Sequence, residues 1–135
     1  MLLIVDADIL CSALIAGRLT DLLFSPRLEL VAPELVFAEM KKHKGELQEK
    51  SKLSVEEFDV LISLLERRVR TIPLDEFSCF FPKAEELLGD HRKDAEYIAL
   101  ALHLSCPFWT YEKRLLNLRD IKVITTEELA RMLRE

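Results

Sequence analysis

Five apolar segments, separated by longer stretches with helical periodicity, set the plan of this chain. The first, residues 2–5, is apolar at every position, which is typical of a strand in a parallel sheet that is covered on both faces. Four further segments predict strands, at residues 28–32, 69–73, 107–110 and 121–124. The stretches between them are long enough for crossover connections. We therefore predict a single α/β domain over residues 1–135, a three-layer α/β/α sandwich around a central, mainly parallel sheet of about five strands.

The helical segments are recognised by apolar residues at three- and four-residue spacing and by capping residues. Ser54 and Thr125 each begin a capping box that starts a helix. Pro33 is expected in the first turn of a helix, and Pro82 inside one, which it bends or splits. The charge-dense stretch 41–52 predicts a helix end followed by an exposed connection. Together the pattern predicts helices over residues 9–16, 19–24, 33–40, 54–67, 75–88, 92–104 and 125–133.

The composition favours a cytosolic globular protein. Half of the 135 residues are apolar, which is enough for a core without support from disulfides or metals. No apolar run approaches the roughly 20 residues that span a bilayer, and no secretory leader follows Met1. The chain has one asparagine, one glutamine and 32% charged residues, so a thermophilic source is a hypothesis.

The cysteines and histidines predict no site of their own. The three cysteines are odd in number and widely spaced, which indicates reduced core thiols and not a disulfide framework or a zinc site. The three histidines lack the spacing of a ligand set to one another. His91 lies near enough to Asp94 in sequence to approach a metal, but we interpret it as a surface residue.

The formal net charge of −5 argues against an extended basic surface of the kind that binds duplex DNA through many phosphates. It does not exclude a nucleic-acid substrate. A cluster of carboxylates that carries metal ions presents a different sign from its bare formal charge.

The first acidic candidates stand where the first strand ends. Asp6 and Asp8 follow the apolar run directly, and ligands of open α/β sheets bind at the carboxyl ends of such strands. Either aspartate alone is explained equally well as the N-cap of the following helix. Two aspartates separated by one residue favour a functional site.

Three further acids lie where a solvated charge is not expected. Glu39 is on the face that its helix buries, Asp94 opens the most apolar helix, and Glu112 comes just past the fourth strand. Each also has an ordinary explanation: an ion pair one turn along the helix for Glu39, a helix cap for Asp94, and an exposed loop position for Glu112. For any single acid, the ordinary explanation is at least as good as a functional one. For Asp6, Glu39, Asp94 and Glu112 together, however, four separate ordinary explanations would all have to be true by coincidence.

Two strand ends and two helix starts or faces can converge at one edge of a parallel sheet. At about 5 Å and an effective dielectric near 20, two carboxylates repel by roughly 3 kcal/mol, so the six pairs among four acids amount to about 20 kcal/mol. That exceeds the stability of a typical domain, ~5–15 kcal/mol. A shared pocket therefore requires cations or proton uptake. Oxygen ligands without paired His or Cys favour Mg²⁺ or Mn²⁺, ions suited to phosphodiester hydrolysis.

The order of these motifs matches a known family. The matching segments are Val5-Asp6-Ala7-Asp8, Glu39, Lys93-Asp94-Ala95 before the apolar helix, and Trp109-Thr110-Tyr111-Glu112-Lys113. In this order they resemble the PIN domain, over essentially the whole chain. The size is similar to that of stand-alone prokaryotic PIN proteins, of which VapC-type toxins are the largest group.

The resemblance implies a Mg²⁺- or Mn²⁺-dependent endoribonuclease that hydrolyses RNA. It implies metal ligands at Asp6, Asp94 and Glu112, with Glu39 as a further ligand or as a water-positioning acid. It also implies a homodimer and, for a toxin, an antitoxin protein as partner. The main departure is Glu112, where the family usually has aspartate, so its carboxylate reaches one methylene farther.

The same resemblance gives roles to residues around the acids. Asp8 occupies an edge position that is often asparagine in the family, and Thr110 matches a Ser or Thr that hydrogen-bonds near the acids. Tyr111 and Trp109 are candidates for base stacking, although Trp109, inside a strand, is expected in the core. The basic residues beside the acids are candidates to hold RNA phosphates, although ordinary surface charge explains any single one of them better: Lys93, Lys113 and Arg114, with Lys41, Lys42 and Arg92 nearby.

Two alternatives stay open. The first strand with Asp6-Ala7-Asp8, followed later by Gly89-Asp90 and Asp94, also resembles phosphohydrolases of the haloacid dehalogenase type. In that family a strand leads into the Gly-Asp, whereas here residues 84–88 predict a helix. The second alternative is a catalytically silent PIN domain that binds RNA or a protein partner.

Overall fold

The computed structural model describes residues 1–15, 17–90 and 92–134. Its strands are β1 (Leu2–Val5), β2 (Glu29–Pro33), β3 (Arg70–Ile72), β4 (Phe108–Trp109) and β5 (Val123–Ile124). They form one sheet in the order β3-β2-β1-β4-β5, and every neighbouring pair is parallel. The predicted α/β fold with a parallel, five-stranded central sheet is confirmed.

β1 is the middle strand and has no face toward water. Leu3, Ile4 and Val5 are all 0% exposed. Ile4 aligns with Val31 of β2 on one side and with Phe108 of β4 on the other. Three of the four positions of the apolar run are therefore in the core, and Leu2 is partly buried against it. This is the physical reason that the run does not alternate with polar residues.

Eight α-helices surround the sheet in the described part of the chain. They are α1 (Ala7–Ile15), α2 (Arg18–Leu23), α3 (Leu35–Lys41), α4 (Lys44–Ser51), α5 (Val55–Arg68), α6 (Phe81–Leu88), α7 (Ala95–Leu104) and α8 (Thr126–Arg134). α1 packs against α2, α3, α4 and α5, whereas α6 packs on α7, which crosses β1, β2 and β4. Crossovers between parallel strands are right-handed as a rule. Because the chain forms β2 and β3 on one side of β1 and then β4 and β5 on the other, this rule puts the two groups of helices on opposite faces of the sheet. Among the described helices, none is long and apolar enough to cross a membrane.

Several sequence signals act as expected. The capping box at Ser54 is formed, because its hydroxyl accepts the Glu57 backbone N–H at 3.1 Å and the Glu57 carboxylate accepts the Ser54 backbone N–H at 3.1 Å. Residues 84–88 are helical, so no strand leads into Gly89-Asp90 and the haloacid dehalogenase alternative loses its second motif. The last residue of the predicted helix 9–16, and His91, lie outside the described residues.

Two predictions around prolines are wrong. Residues 75–88 do not form one bent helix: two single 3₁₀ turns cover residues 74–80, and Pro82 lies in the first turn of α6. A proline in a first helical turn loses no hydrogen bond, so it starts this helix and does not bend it. Pro33 ends β2, and α3 begins only at Leu35.

The stretch 41–52 is mostly exposed and begins at a helix end, as its charge predicts, but most of it is helical and not an irregular connection. It contains α4, in which only Leu47 is buried among the residues of the helix. One apolar anchor in eight residues leaves no amphipathic pattern to recognise.

The strand order reverses beside β1. The chain leaves β1 toward β2 and β3, and then returns to the other side of β1 to form β4 and β5. In open α/β sheets the crevice beyond the carboxyl ends of the two strands at such a reversal is where ligands bind. Asp6 and Thr110 are the first residues beyond β1 and β4.

Candidate functional site

Asp6 is held at the strand ends by both its backbone and its side chain. Its backbone N–H donates to the Trp109 carbonyl of β4 at 3.2 Å, and its carbonyl accepts the Ile9 N–H of α1 at 3.1 Å. The Thr110 hydroxyl donates to Asp6 Oδ2 at 2.7 Å. Asp6 is 7% exposed and Thr110 is 3% exposed, so the carboxylate is held in a buried position at the carboxyl ends of the two strands.

The Asp6 carboxylate is in a poor environment for a negative charge. Burial raises its pKa from 3.8 to about 6, and the charges of Asp8 and Asp94 raise it as well. The hydrogen bonds from Thr110 and from the Asp8 backbone oppose this shift without cancelling it. The bond from the Asp8 backbone is a capping interaction, but capping alone does not account for a buried acid among other acids.

Asp94 precedes α7, at the end of a 3₁₀ turn formed by Arg92–Asp94. It is 8% exposed, and its carboxylate makes no capping hydrogen bond. Asp94 thus occupies the N-cap position of α7 without the side-chain hydrogen bond that a helix cap would make. Burial raises its pKa, the charges of Glu112, Asp8 and Glu39 add to the increase, and the charge of Lys93 opposes it.

Glu39 is half-buried on α3 and faces the same crevice. The Tyr97 hydroxyl of α7 donates to Glu39 Oε1 at 3.0 Å. Burial is again the main cause that raises the pKa of Glu39, with contributions from Asp6 and Asp8, while Tyr97 and Lys42 lower it. Glu39, Asp6 and Asp8 are thus close enough to influence one another's ionisation.

Two residues of the site were not identified from the sequence. Tyr97 is 2% exposed and stacks on Phe108 with ring centroids 5.4 Å apart. Glu96 is close enough to Glu39 for that charge to raise its pKa, after burial. Tyr97 could have been found from its spacing, because it lies three residues after Asp94 and therefore on the same side of α7.

Glu112 differs from the other acids because it is paired with a cation. Arg114 Nε donates to Glu112 Oε1 at 2.9 Å, and Arg114 Nη2 donates to Glu112 Oε2 at 3.1 Å. The Lys93 ammonium lies 4.0 Å from Oε2. The hydrogen bond from Arg114 is the main cause that lowers the pKa of Glu112 to about 2.

The remaining polar residues fall into two groups. Lys93, Lys113 and Arg114 are exposed beside the acids, whereas Lys41 forms an ion pair with Glu66 of α5 at 3.7 Å. Tyr111 is 45% exposed. Trp109 is buried, as expected for a core residue, and its indole N–H donates to the Thr126 hydroxyl at 2.9 Å. Cys11 is half-buried near the acids, and burial raises its pKa to about 11.

The donor set partly fits a hard divalent cation. Asp6, Asp94 and Glu39 offer carboxylate oxygens whose pKa values are raised, first by burial and then by neighbouring acids, and a bound cation relieves both effects. Both oxygens of Glu112 are already engaged by Arg114. Within residues 1–15, 17–90 and 92–134, no three or more His, Cys, Asp or Glu side chains are arranged as a ready-made ligand group.

Comparisons with known proteins identify the fold independently. A sequence model of the PIN domain matches residues 4–134. A chain in the crystal structure of VapBC2 from Rickettsia felis, bound to a DNA fragment from their promoter, is similar with a TM-score of 0.70 and 12% sequence identity. The similarity covers 93% of this chain and 98% of that chain. At that identity it shows a common fold. No curated protein matches this sequence.

Proposed function

Because this chain belongs to the PIN-domain family, we propose that it is a Mg²⁺- or Mn²⁺-dependent endoribonuclease that hydrolyses RNA phosphodiester bonds. The observation that carries the proposal is the burial of Asp6 and Asp94, 7% and 8% exposed, at the strand reversal. Both pKa values are raised. Buried acids with raised pKa values in a cleft are typical of functional sites.

Asp6 and Asp94, with Glu39 as the third acid, are the residues that would hold the cation. Asp8 is exposed at the edge of this group. When bound, a divalent ion lowers the pKa of a water molecule and stabilises charge on the leaving oxygen. No side-chain nucleophile is required for this reaction class.

The other side chains of the site orient the acids or attract the RNA. Thr110 fixes the direction of the Asp6 carboxylate, and Tyr97 fixes that of Glu39. Lys93 and Lys113, exposed at the rim with Arg114, supply positive charge that attracts a polyanion toward the acids. Tyr111 presents an exposed ring on which a base can stack.

The test compares Asp6→Asn with Asp90→Asn in RNA cleavage assays with Mn²⁺. Asp6→Asn is nearly isosteric and is expected to abolish cleavage, because it removes a cation ligand. Asp90 is exposed after α6, so Asp90→Asn is expected to keep wild-type activity. Gel electrophoresis of labelled RNA and a circular dichroism spectrum of each variant separate lost chemistry from lost folding.

Other results would favour the alternatives. If the wild type leaves every RNA uncut and binds RNA as well as Asp6→Asn does, the chain is a binding module. If it cleaves small phosphate esters through a trapped aspartyl-phosphate, and Asp90→Asn loses that activity, it is a phosphohydrolase.

We also propose that the chain is the toxin of a toxin–antitoxin pair and forms a homodimer. The support is the fold shared with a chain of the VapBC2 assembly from Rickettsia felis. Expression of the wild type in a bacterial host is expected to stop growth, and expression of Asp6→Asn is not. Light scattering of the purified protein measures its mass, for which about twice the 15.6 kDa chain is expected. Unimpaired growth with active nuclease would contradict the toxin assignment alone.

A further inference from the structure

The hydrogen bonds of the Glu112 carboxylate are to a residue of its own segment. Its two carboxylate oxygens accept from two different nitrogens of Arg114, at 2.9 and 3.1 Å, in the bidentate arrangement that is strongest for arginine and a carboxylate. Oε1 also accepts the Arg114 backbone N–H at 3.4 Å, which caps the 3₁₀ turn Lys113–Leu115. The carboxylate therefore points along the chain toward the residue that it holds.

The backbone and the side-chain length both support this direction. The Glu112 backbone N–H donates to the Thr110 hydroxyl at 3.1 Å, so the residue is anchored to the same threonine that fixes Asp6. From that anchor, the extra methylene of glutamate lets the carboxylate reach the turn and the guanidinium that follow it. A guanidinium presents its donors in a rigid fork, so this pairing fixes the position of its charge.

The charge held in this way lies beside Asp94. The Asp94 carboxylate and the Arg114 guanidinium interact electrostatically, as do Asp94 and Glu112. A divalent ion bound by Glu112 would have to displace a guanidinium already in that place. By contrast, the carboxylates of Asp6 and Asp94 are buried next to other acids.

We propose that Glu112 is not a metal ligand but a positioning residue, which holds Arg114 as a fixed positive charge beside Asp94, and that the site takes a single divalent ion on the side of Asp6, Asp94 and Glu39. This inference rests on the proposed function, because it assumes a metal site. Glu112, which stands where the family usually has aspartate, would then hold Arg114 and would not bind the metal. The arginine takes the place at which a second cation would otherwise neutralise Glu112 and Asp94.

The experiment is a Mn²⁺ titration of the full chain, followed by electron paramagnetic resonance of unbound Mn²⁺ and by calorimetry, without RNA. The wild type is expected to bind one ion. Glu112→Gln is expected to change the affinity by less than about 3-fold, whereas Asp94→Asn weakens it by at least about 10-fold. Thermal melts of each variant, in chelator, confirm that it is folded.

The second part of the experiment uses variants of Arg114. Arg114→Gln removes the fixed charge and releases Glu112, so Mn²⁺ is expected to bind at least about 5-fold more tightly. Arg119→Gln is the matched control: it removes the same charge from an exposed arginine that lines a different cleft, with Cys79 and Pro82, and leaves the affinity unchanged. Arg114→Lys keeps the charge and is expected to behave more like the wild type than Arg114→Gln does.

The outcomes separate this inference from the proposed function. Two bound ions in the wild type, a loss of one ion in Glu112→Gln, or an Arg114→Gln affinity no tighter than that of Arg119→Gln would each overturn the inference and leave the nuclease proposal standing. A wild type that binds no Mn²⁺ would overturn both.

Discussion

Asn in place of Asp6 should make the protein more stable at neutral pH, although it removes a residue of the proposed catalytic site. The pKa of Asp6 is raised from 3.8 to about 6 in the folded chain, mainly by burial. A group with a raised folded pKa binds its proton more tightly in the folded state. The proton on Asp6 therefore contributes fully to the free energy of unfolding below about pH 3.8, and this contribution is lost as the pH rises through about 6.

The size of the effect follows from the same shift. A difference of about 2 pKa units corresponds to about 3 kcal/mol, which the ionised Asp6 withholds from stability above pH 6. Asparagine has nearly the same shape, and its side-chain oxygen can still accept the 2.7 Å hydrogen bond from Thr110. Its amide N–H₂ group can donate toward the acids that repel the native carboxylate. We expect Asp6→Asn to raise the free energy of unfolding by about 2–3 kcal/mol at pH 7.5.

Urea denaturation in the presence of EDTA, at pH 4 and at pH 7.5, measures this difference without interference from a bound ion. At pH 4 the gain should fall below about 1 kcal/mol, because Asp6 is then mostly protonated in the fold. Asp90→Asn, at an exposed position, should stay within about 0.5 kcal/mol of the wild type at both pH values. Equal or lower stability of Asp6→Asn at pH 7.5 would refute the reasoning.

Four further predictions address other parts of the molecule. Thr110→Val should lower the free energy of unfolding at pH 7.5 by about 2 kcal/mol in the same assay, because a buried carboxylate loses its donor. Tyr97→Phe should move the acid limb of the pH–rate profile to higher pH, since the hydroxyl lowers the pKa of the glutamate it contacts, whereas Tyr111→Phe, at an exposed ring, should not. Ser54→Ala should cost about 1 kcal/mol through the lost capping box, measured by urea denaturation. The hypothesis of a thermophilic source predicts a melting temperature above about 65 °C by calorimetry.

The main features of the fold were predictable because they depend on patterns that extend over many residues. A strand buried on both faces must be apolar at each position, as residues 2–5 are, and helices with a core-facing stripe repeat every three or four residues. α4 lacks that stripe, because Leu47 is its one buried residue. The helix packs against α1, which is distant in sequence, and against α5, which follows it after a short connection.

The placement of the acids was predictable only in part. A parallel sheet brings strand ends to one edge, which is why Asp6 and Thr110, more than a hundred residues apart in sequence, meet in a hydrogen bond. The pairing of Glu112 with Arg114 had no comparable signal. Residues two apart do not face each other on an α-helix, and the contact exists only because the chain enters a 3₁₀ turn directly after Glu112.

The repulsion expected among four converging acids is relieved unequally in the structure. Glu112 has a bidentate arginine, and Glu39 has a tyrosine hydroxyl together with the nearby charge of Lys42. The pKa of Asp6 is raised although its carboxylate accepts hydrogen bonds, and the pKa of Asp94 is raised although the charge of Lys93 lowers it. A cation gains most where negative charge is both buried and least compensated, since water and other cations screen it least there. The two acids that meet this condition are the ones next to β1 and α7, so the cation affinity of the site should follow Asp6 and Asp94 much more closely than Glu112.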